Sequence, residues 1–348
     1  MGTSRPIQKN KNLFRKDTPL YLTIILALSS GFLVYLFFPK PEDGKKNVVV
    51  AQSTDCVPER IVVRSKDYHF THRIFLSETK NENPRLASIK ERINQFITQD
   101  KLSNKVNEVS VYYRCLKNGA WFEINGGETY NPASLMKVTF LIAMLKQAEQ
   151  YPGLLDKQLY FEKPVDQGYN QNIKVFSLAA NKYYSIRELL YDMIVYSDND
   201  ALTLLARNTR LEVYNKLFTD LGMTAPPAVI PKGTEYSMNI MDCCKFFRVL
   251  YNSTYLKEED SEFALELLTK SSFKDGFLKN ITGDFPIAHK FGERVISDSH
   301  ELHEIGIFYV DQQPYVLGVM STGPDLETLS TVLSQISEIA YQESIKIN

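Results

Sequence analysis

A serine and a lysine stand three residues apart in Ser134-Leu135-Met136-Lys137, at the head of the apolar run Val138 to Leu145. A serine hydroxyl is a weak nucleophile until a neighbouring base takes its proton. A lysine in an apolar site gives up its charge readily and can be that base. If the run is a helix, Lys137 lies on the same face as Ser134, one turn on. Ser134 then sits among unpaired backbone N–H groups at the positive end of the helix dipole. Two further groups follow in order, Ser197-Asp198-Asn199 and Lys290-Phe291-Gly292. Ser197 and Asn199 are suited to a proton relay if they point at Lys137, and Lys290 to a cationic strand edge. A nucleophile, a base, a relay and a fixed cation are the parts that acyl transfer needs.

Each group alone is weak. Ser271-Ser272-Phe273-Lys274 has the same Ser-x-x-Lys spacing, and Lys117-Asn118-Gly119 and Lys274-Asp275-Gly276 the same Lys-x-Gly spacing. Context separates them. Lys117-Asn118-Gly119 falls between two alternating apolar stretches and reads as the turn of a hairpin over Val109–Ile124. Lys274-Asp275-Gly276 falls in a polar loop. Ser-Asp-Asn occurs once.

The positioning elements follow from periodicity and caps. Asn131-Pro132-Ala133 reads as a turn before the helix of Ser134. Ser185 followed by Glu188 is a capping-box signal, so a helix begins there. A second apolar helix begins after Asn199, which makes Ser197-Asp198-Asn199 a short interhelical turn. Leu86, Ile89, Ile93, Phe96 and Ile97 share one helical face. Phe285-Pro286-Ile287-Ala288 leads into Lys290 as a strand. Glu301–Val310 and Tyr315–Gly323 form a strand pair around Asp311-Gln312-Gln313-Pro314, and a last helix begins at Asp325.

Together these residues resemble the penicillin-recognising serine hydrolases, namely the class A beta-lactamases and the related D-alanyl-D-alanine peptidases. The resemblance runs from about Leu86 to the C-terminus. It implies an α/β fold: an antiparallel sheet flanked by helices, with an inserted all-helical subdomain over about residues 142–282 and the site at their junction. It implies Ser134 as nucleophile, Lys137 as base, Ser197 as proton relay to the leaving nitrogen, Asn199 as partner of Lys137 and of the substrate amide, and Lys290 as the source of positive potential. The oxyanion and substrate contacts fall to Ser134, Gly292 and Glu293, with the backbone N–H groups of Ser134 and Glu293 as the donors. The implied substrates are beta-lactams or peptidoglycan-peptide-like D-Ala-D-Ala amides. Two other functions compete, a noncatalytic peptidoglycan- or partner-binding protein on the same fold and a serine esterase or amidase.

The chain departs from the family's pattern twice. Phe291 stands where the family has Thr or Ser, whose hydroxyl helps hold a substrate carboxylate. Glu235-Tyr236-Ser237-Met238-Asn239 resembles the Glu-x-x-Leu-Asn loop whose glutamate activates the deacylating water. Ser237 also matches the start of the helix that follows at Met241. Glu235 is therefore either the deacylation base or a loop residue, and in the second case the acyl-enzyme is long-lived.

The chain has 348 residues, 44% of them hydrophobic, and a net charge of −1, which gives no nucleic-acid footprint. Pro19 to Phe38 carries no charge, and Arg5, Lys9, Lys11, Arg15 and Lys16 precede it. Such a stretch as a helix spans a hydrocarbon core of roughly 30 Å, and the basic flank places the N-terminus inside. The sequence thus reads as a cytoplasmic tail (1–17), one N-terminal transmembrane signal-anchor helix (18–39, apolar over 19–38), a linker (40–55) and an extracytoplasmic hydrolase domain (56–348). Arg60–Arg64 and His72–Leu76 read as extended stretches packed on that domain. Cys56, Cys115, Cys243 and Cys244 do not form a disulfide framework. His69 with His72 and His300 with His303 lack further ligands at zinc spacing, so no metal or other cofactor is expected.

Overall fold

The computed structural model describes residues 60–64, 73–164, 171–227, 235–296, 299–311 and 313–346. The chain divides into two units, Met1–Cys56 and Val57–Asn348. The tail, the anchor span and the linker fall in the first unit, outside the described residues. No helix of the described residues is long and apolar enough to cross a membrane.

The second unit is built on a five-stranded antiparallel sheet. Its strands are β3 (Glu108–Cys115), β4 (Trp121–Ile124), β7 (Ile287–Ile296), β8 (Ser299–Phe308) and β9 (Tyr315–Gly323), in the order β4-β3-β9-β8-β7. The expected hairpin over 109–124 and the pair around 311–314 are both present. Side chains alternate across each strand. Val109, Val111 and Tyr113 enter one apolar cluster, and Tyr112 enters the other. Both faces of the sheet are therefore covered.

One face is covered by α1 (Ala87–Leu102) and α8 (Leu326–Ser344). Leu86, Ile89, Ile93 and Ile97 pack with Leu329, Val332, Leu333 and Ile336 on a single stripe. Each such side chain, fully buried, stabilises by roughly 1.5–3 kcal/mol relative to exposure. The α8 helix starts where the Asp325 carboxylate accepts from the Thr328 amide at 2.7 Å. The other face carries α6 (Ile240–Tyr251) and, along β7, the helix Glu258–Thr269, while α2 (Lys137–Ala148) packs among the remaining helices. Gly318 on β9 permits a close approach there, because a Cβ at that position would lie 2.6 Å from Cys244 Sγ. Cys244 and its neighbour Cys243 are buried and free, as is Cys115, and burial pushes the thiols of Cys243 and Cys244 upward.

Beside α2 lie α3 (Ile186–Val195), α4 (Asn199–Asn208), α5 (Leu211–Asp220) and α7 (Glu258–Thr269). The capping box is formed, with the Glu188 amide donating to Ser185 Oγ at 3.2 Å and the Ser185 amide to Glu188 Oε2 at 2.7 Å.

Three expectations need correction. The inserted part is not all-helical: β5 (Gln158–Phe161) pairs with β6 (Lys182–Ser185). Leu159 and Phe161 point inward on alternate positions, but Lys182–Ser185 carries no apolar alternation that would reveal its partner strand. The α6 helix is capped by Asn239 rather than Ser237, since Asn239 Oδ1 accepts from the Asp242 amide at 2.8 Å. Met238 is held in an antiparallel bridge with Tyr130, which keeps the backbone extended until that point. Third, Ser134 stands in a 3₁₀ turn, Ala133–Met136, and the α-helix begins at Lys137. The stretches at 60–64 and 74–79 pair as β1 and β2 (Ile74–Thr79), and Arg248 of α6 makes an ion pair with Glu78 of β2.

Candidate active site

The Ser134 turn is held from three sides. Asn131 Oδ1 accepts from the Ala133 amide at 2.9 Å, and Asn131 O accepts from His303 Nε2 of β8 at 3.0 Å. Ala133 has φ 47°, in the left-handed region where a Cβ is strained. From the sheet side β7 arrives at Gly292. A Cβ there would lie 2.8 Å from Pro132 O and 3.2 Å from the Ser134 amide nitrogen, so only glycine lets the strand backbone touch the turn. Gly292 and Glu293 thereby bring the edge of the sheet to Ser134. An edge strand has backbone N–H groups without a strand partner.

Lys137 is 1% exposed. Its Nζ lies 3.1 Å from Ser134 Oγ, 3.1 Å from Ser197 Oγ and 2.6 Å from Asn199 Oδ1, and it also donates to Ser197 O. Burial pulls its pKa down to about 7, against the charges of Asp198 and Glu293, which raise it. A substantial fraction is then a neutral amine at neutral pH, with a lone pair available beside the Ser134 hydroxyl.

Ser197 and Asn199 reach this point because α3 and α4 meet in a tight turn. Ser197 has φ 57°, and Asp198 caps α4 by accepting from the Ala201 amide at 2.7 Å. The left-handed residue turns the chain so that Ser197 Oγ faces the two lysines. Lys290 Nζ donates to Ser197 Oγ at 2.8 Å and to Phe291 O at 2.9 Å, and lies 4.2 Å from the Phe291 ring centroid. Lys290 is fully buried, and burial, followed by the charge of Lys137, pushes its pKa well down. Phe291 stacks on Phe273 with centroids 4.4 Å apart.

The structure thus brings Ser134, Lys137, Ser197, Asn199 and Lys290 into one hydrogen-bonded cluster, with Gly292 and Glu293 beside it. It does not bring Glu235 into that cluster. The Glu235 carboxylate accepts from Arg294 Nη1 at 2.7 Å and from Nη2 at 2.5 Å, and these bonds hold its pKa low. The second Ser-x-x-Lys match has no such surroundings. Ser271 is buried with no partner for its hydroxyl, and Lys274 is exposed. His300 and His303, an odd number of residues apart on β8, point to opposite faces.

Several contributors carry no sequence signal. Gln171 Nε2 donates to Ser197 O at 3.3 Å and to Ile173 O at 3.1 Å. Glu293 Oε1 accepts from the Ile173 amide at 2.6 Å, which ties residues 171–173 over the site. His303 steadies the Ser134 turn from a strand distant in sequence, and burial lowers its pKa to about 4, so it is neutral there. Asp198 sits inside a motif, but only the fold shows its carboxylate acting on Lys137.

A model of the Beta-lactamase enzyme family matches residues 88–344. This chain belongs to the beta-lactamase enzyme family. Its members' fold recurs in solved structures at low sequence identity. A beta-lactamase from Chitinophaga pinensis is 16% identical with a TM-score of 0.63, covering 74% of this chain and 99% of that one. A class A beta-lactamase from Mycobacterium abscessus is also 16% identical, with a TM-score of 0.61 and coverage of 72% and 98%. A mutant of PBP-A, solved as its acyl-enzyme complex with penicillin-G, is 21% identical with a TM-score of 0.60, covering 75% and 97%. A search of curated protein sequences found no match. The family membership makes this protein a serine hydrolase of the beta-lactamase type.

Proposed function

We propose that the protein is a membrane-anchored serine hydrolase, acylated at Ser134 by beta-lactams or D-Ala-D-Ala-type amides, whose acyl-enzyme turns over slowly. The observation that carries this reading is the buried Lys137 amine, its pKa drawn to about 7, within 3.1 Å of both Ser134 Oγ and Ser197 Oγ. Neutral Lys137 takes the Ser134 proton as the oxygen bonds to the carbonyl carbon. The amides of Ser134 and Glu293 stabilise the oxyanion. As the C–N bond breaks, the proton passes through Ser197 to the leaving nitrogen. Lys290 holds Ser197 in place for that transfer. A protein on the same fold, a mutant of PBP-A, was solved as its acyl-enzyme complex with penicillin-G, which favours the substrate class.

Slow turnover is supported by Glu235. Hydrolysis of the ester requires a base that can hold a water within about 3 Å of the carbonyl. Glu235 is engaged by both terminal nitrogens of Arg294. The anchor is supported by the uncharged span 19–38 and its basic flank. External protease on intact spheroplasts should cut the linker, and full protection of the catalytic domain would reverse the orientation.

Phe291 favours a second reading, a serine amidase or esterase for substrates without a carboxylate. Its ring covers Lys290 where a hydroxyl would help hold such a group. The test of the first reading is intact-mass analysis of the full-length chain with a penicillin, followed over time. Wild type should gain one penicillin mass and retain it, and Ser134→Ala should gain none. Labelling that persists in Ser134→Ala would remove the assignment. Absence of labelling in wild type, with turnover of a simple ester, would favour the second reading.

A further inference from the structure

A cavity of about 400 Å³ opens between α3 and α7, apart from the Ser134 cluster. The rings of Tyr184, Tyr191 and Phe263 line it, together with Asp192. Asp192 is only 8% exposed. Its backbone carbonyl accepts from the Tyr196 and Asp198 amides, both at 3.2 Å, but among the described residues no hydrogen bond or ion pair reaches its carboxylate. A carboxylate with little access to solvent favours a nearby cation.

The other charges in the cavity are already engaged. Glu188 accepts from Ser185 Oγ at 2.7 Å in the capping box, and Glu266 pairs with Lys270 at 2.6 Å. Arg187 lies over the Phe263 ring, 5.2 Å from its centroid, which shows that this wall accepts a cation. Burial comes first among the influences on Asp192, and the charges that act with it, Asp198 and Glu188, are both anionic; together they push its carboxyl up to about 6. The site therefore has the Asp192 carboxylate as its floor and aromatic faces as its walls. Three carboxylates, Asp192, Glu188 and Glu266, stand in the lining against two cations, Arg187 and Lys270, so a cation is favoured there over an anion.

We propose that this cavity binds a small organic cation, a primary alkylammonium whose charged head reaches Asp192 and whose aliphatic body lies against Tyr184, Tyr191 and Phe263. The volume suits a small molecule rather than a macromolecular segment. The site is independent of the hydrolytic chemistry, although it abuts the turn that carries Ser197.

The experiment is a calorimetric titration of the full-length chain at constant ionic strength with n-butylammonium chloride, n-butanol or sodium butyrate. Butylammonium should bind saturably in the millimolar range, and the alcohol and the carboxylate should not. Asp192→Asn, nearly isosteric, should weaken the ammonium by about tenfold or more, equivalent to about 1.4 kcal/mol. Phe263→Leu should weaken it several-fold by removing one ring. No saturable binding up to about 50 mM, a weaker interaction than any specific site of this size requires, would overturn the proposal. Equal affinity in Asp192→Asn, or butanol binding as tightly as the amine, would do the same. If Asp192→Asn does not fold, as judged by thermal unfolding, the amine-against-alcohol comparison and Phe263→Leu decide.

Discussion

Lys137 should make acylation depend on pH in a defined direction. Its pKa is drawn from 10.5 to about 7, first by burial. The base form is the neutral amine, so acylation grows as pH rises through about 7. With a single group at that value, the neutral fraction climbs from about one in eleven at pH 6 to about ten in eleven at pH 8, which is about tenfold in rate. The assay is the first-order formation of the penicillin adduct by quenched intact-mass analysis, at saturating penicillin, from pH 5.5 to 9. Asp198→Asn supplies the control. Asp198 is the leading charge that raises Lys137, and asparagine retains the N-cap. The inflection should therefore move to lower pH in that variant, with α4 intact. The same shift bears on stability. The folded value lies below the unfolded value, so the unfolded chain binds the proton more tightly between about pH 7 and 10.5. This group alone makes folding more favourable as pH rises through that window. A flat rate between pH 6 and 8, a rate that falls with pH, or an inflection that Asp198→Asn leaves in place would refute Lys137 as the base.

Three further outcomes are expected. Glu235→Gln should leave the adduct lifetime within about twofold of wild type, because Arg294 engages that carboxylate; an adduct trapped in the variant but cleared by wild type would make Glu235 the deacylation base. Gly292→Ala should lower stability by about 1–3 kcal/mol and slow acylation by about a hundredfold, since the methyl meets three backbone atoms, one at 2.8 Å and two at 3.2 Å; thermal unfolding and adduct formation read both. Phe291→Thr should raise acylation by carboxylate-bearing penicillin by about tenfold, the worth of a charge-assisted hydrogen bond, while losing the Phe273 stack lowers stability by about 2–4 kcal/mol. No gain in acylation would mean that the hydroxyl is not what limits carboxylate recognition.

The legible parts of this chain are those encoded locally. Ser185 and Glu188 announce a helix start because both halves of the capping box lie within one turn. Ile89, Ile93 and Ile97 announce a buried stripe because helical spacing places them on one face. The residues of the cluster were legible for a related reason: each lies in a short motif at an element boundary, where residue type matters more than packing. What stayed hidden depends on contacts made across long sequence separations. Nothing near His303 says that it holds the carbonyl of Asn131, and nothing near Gln171 says that it reaches Ser197. Glu235 could be read two ways because its role turns on whether Arg294, far along the chain on β7, occupies its carboxylate. Lys182–Ser185 was missed as a strand because its edge position leaves its side chains largely outside the core.

On the proposed assignment the two lysines share one hydroxyl. Ser197 Oγ lies 3.1 Å from Lys137 Nζ and 2.8 Å from Lys290 Nζ. Two buried ammonium groups so placed repel, and the charge of Lys137 is among the influences that depress Lys290. When Lys137 is neutral that influence vanishes, while burial, the larger influence, stays, set against the charges of Glu304 and Glu293. On the proposed assignment, the proton that Ser134 gives to Lys137 arrives one hydroxyl away from Lys290, and a charge on either lysine disfavours a second on the other. Ser197 offers the way out, toward the leaving nitrogen. Phe291 fits this arrangement: its ring shields Lys290 from water and faces its Nζ, at the expense of a hydroxyl for the substrate.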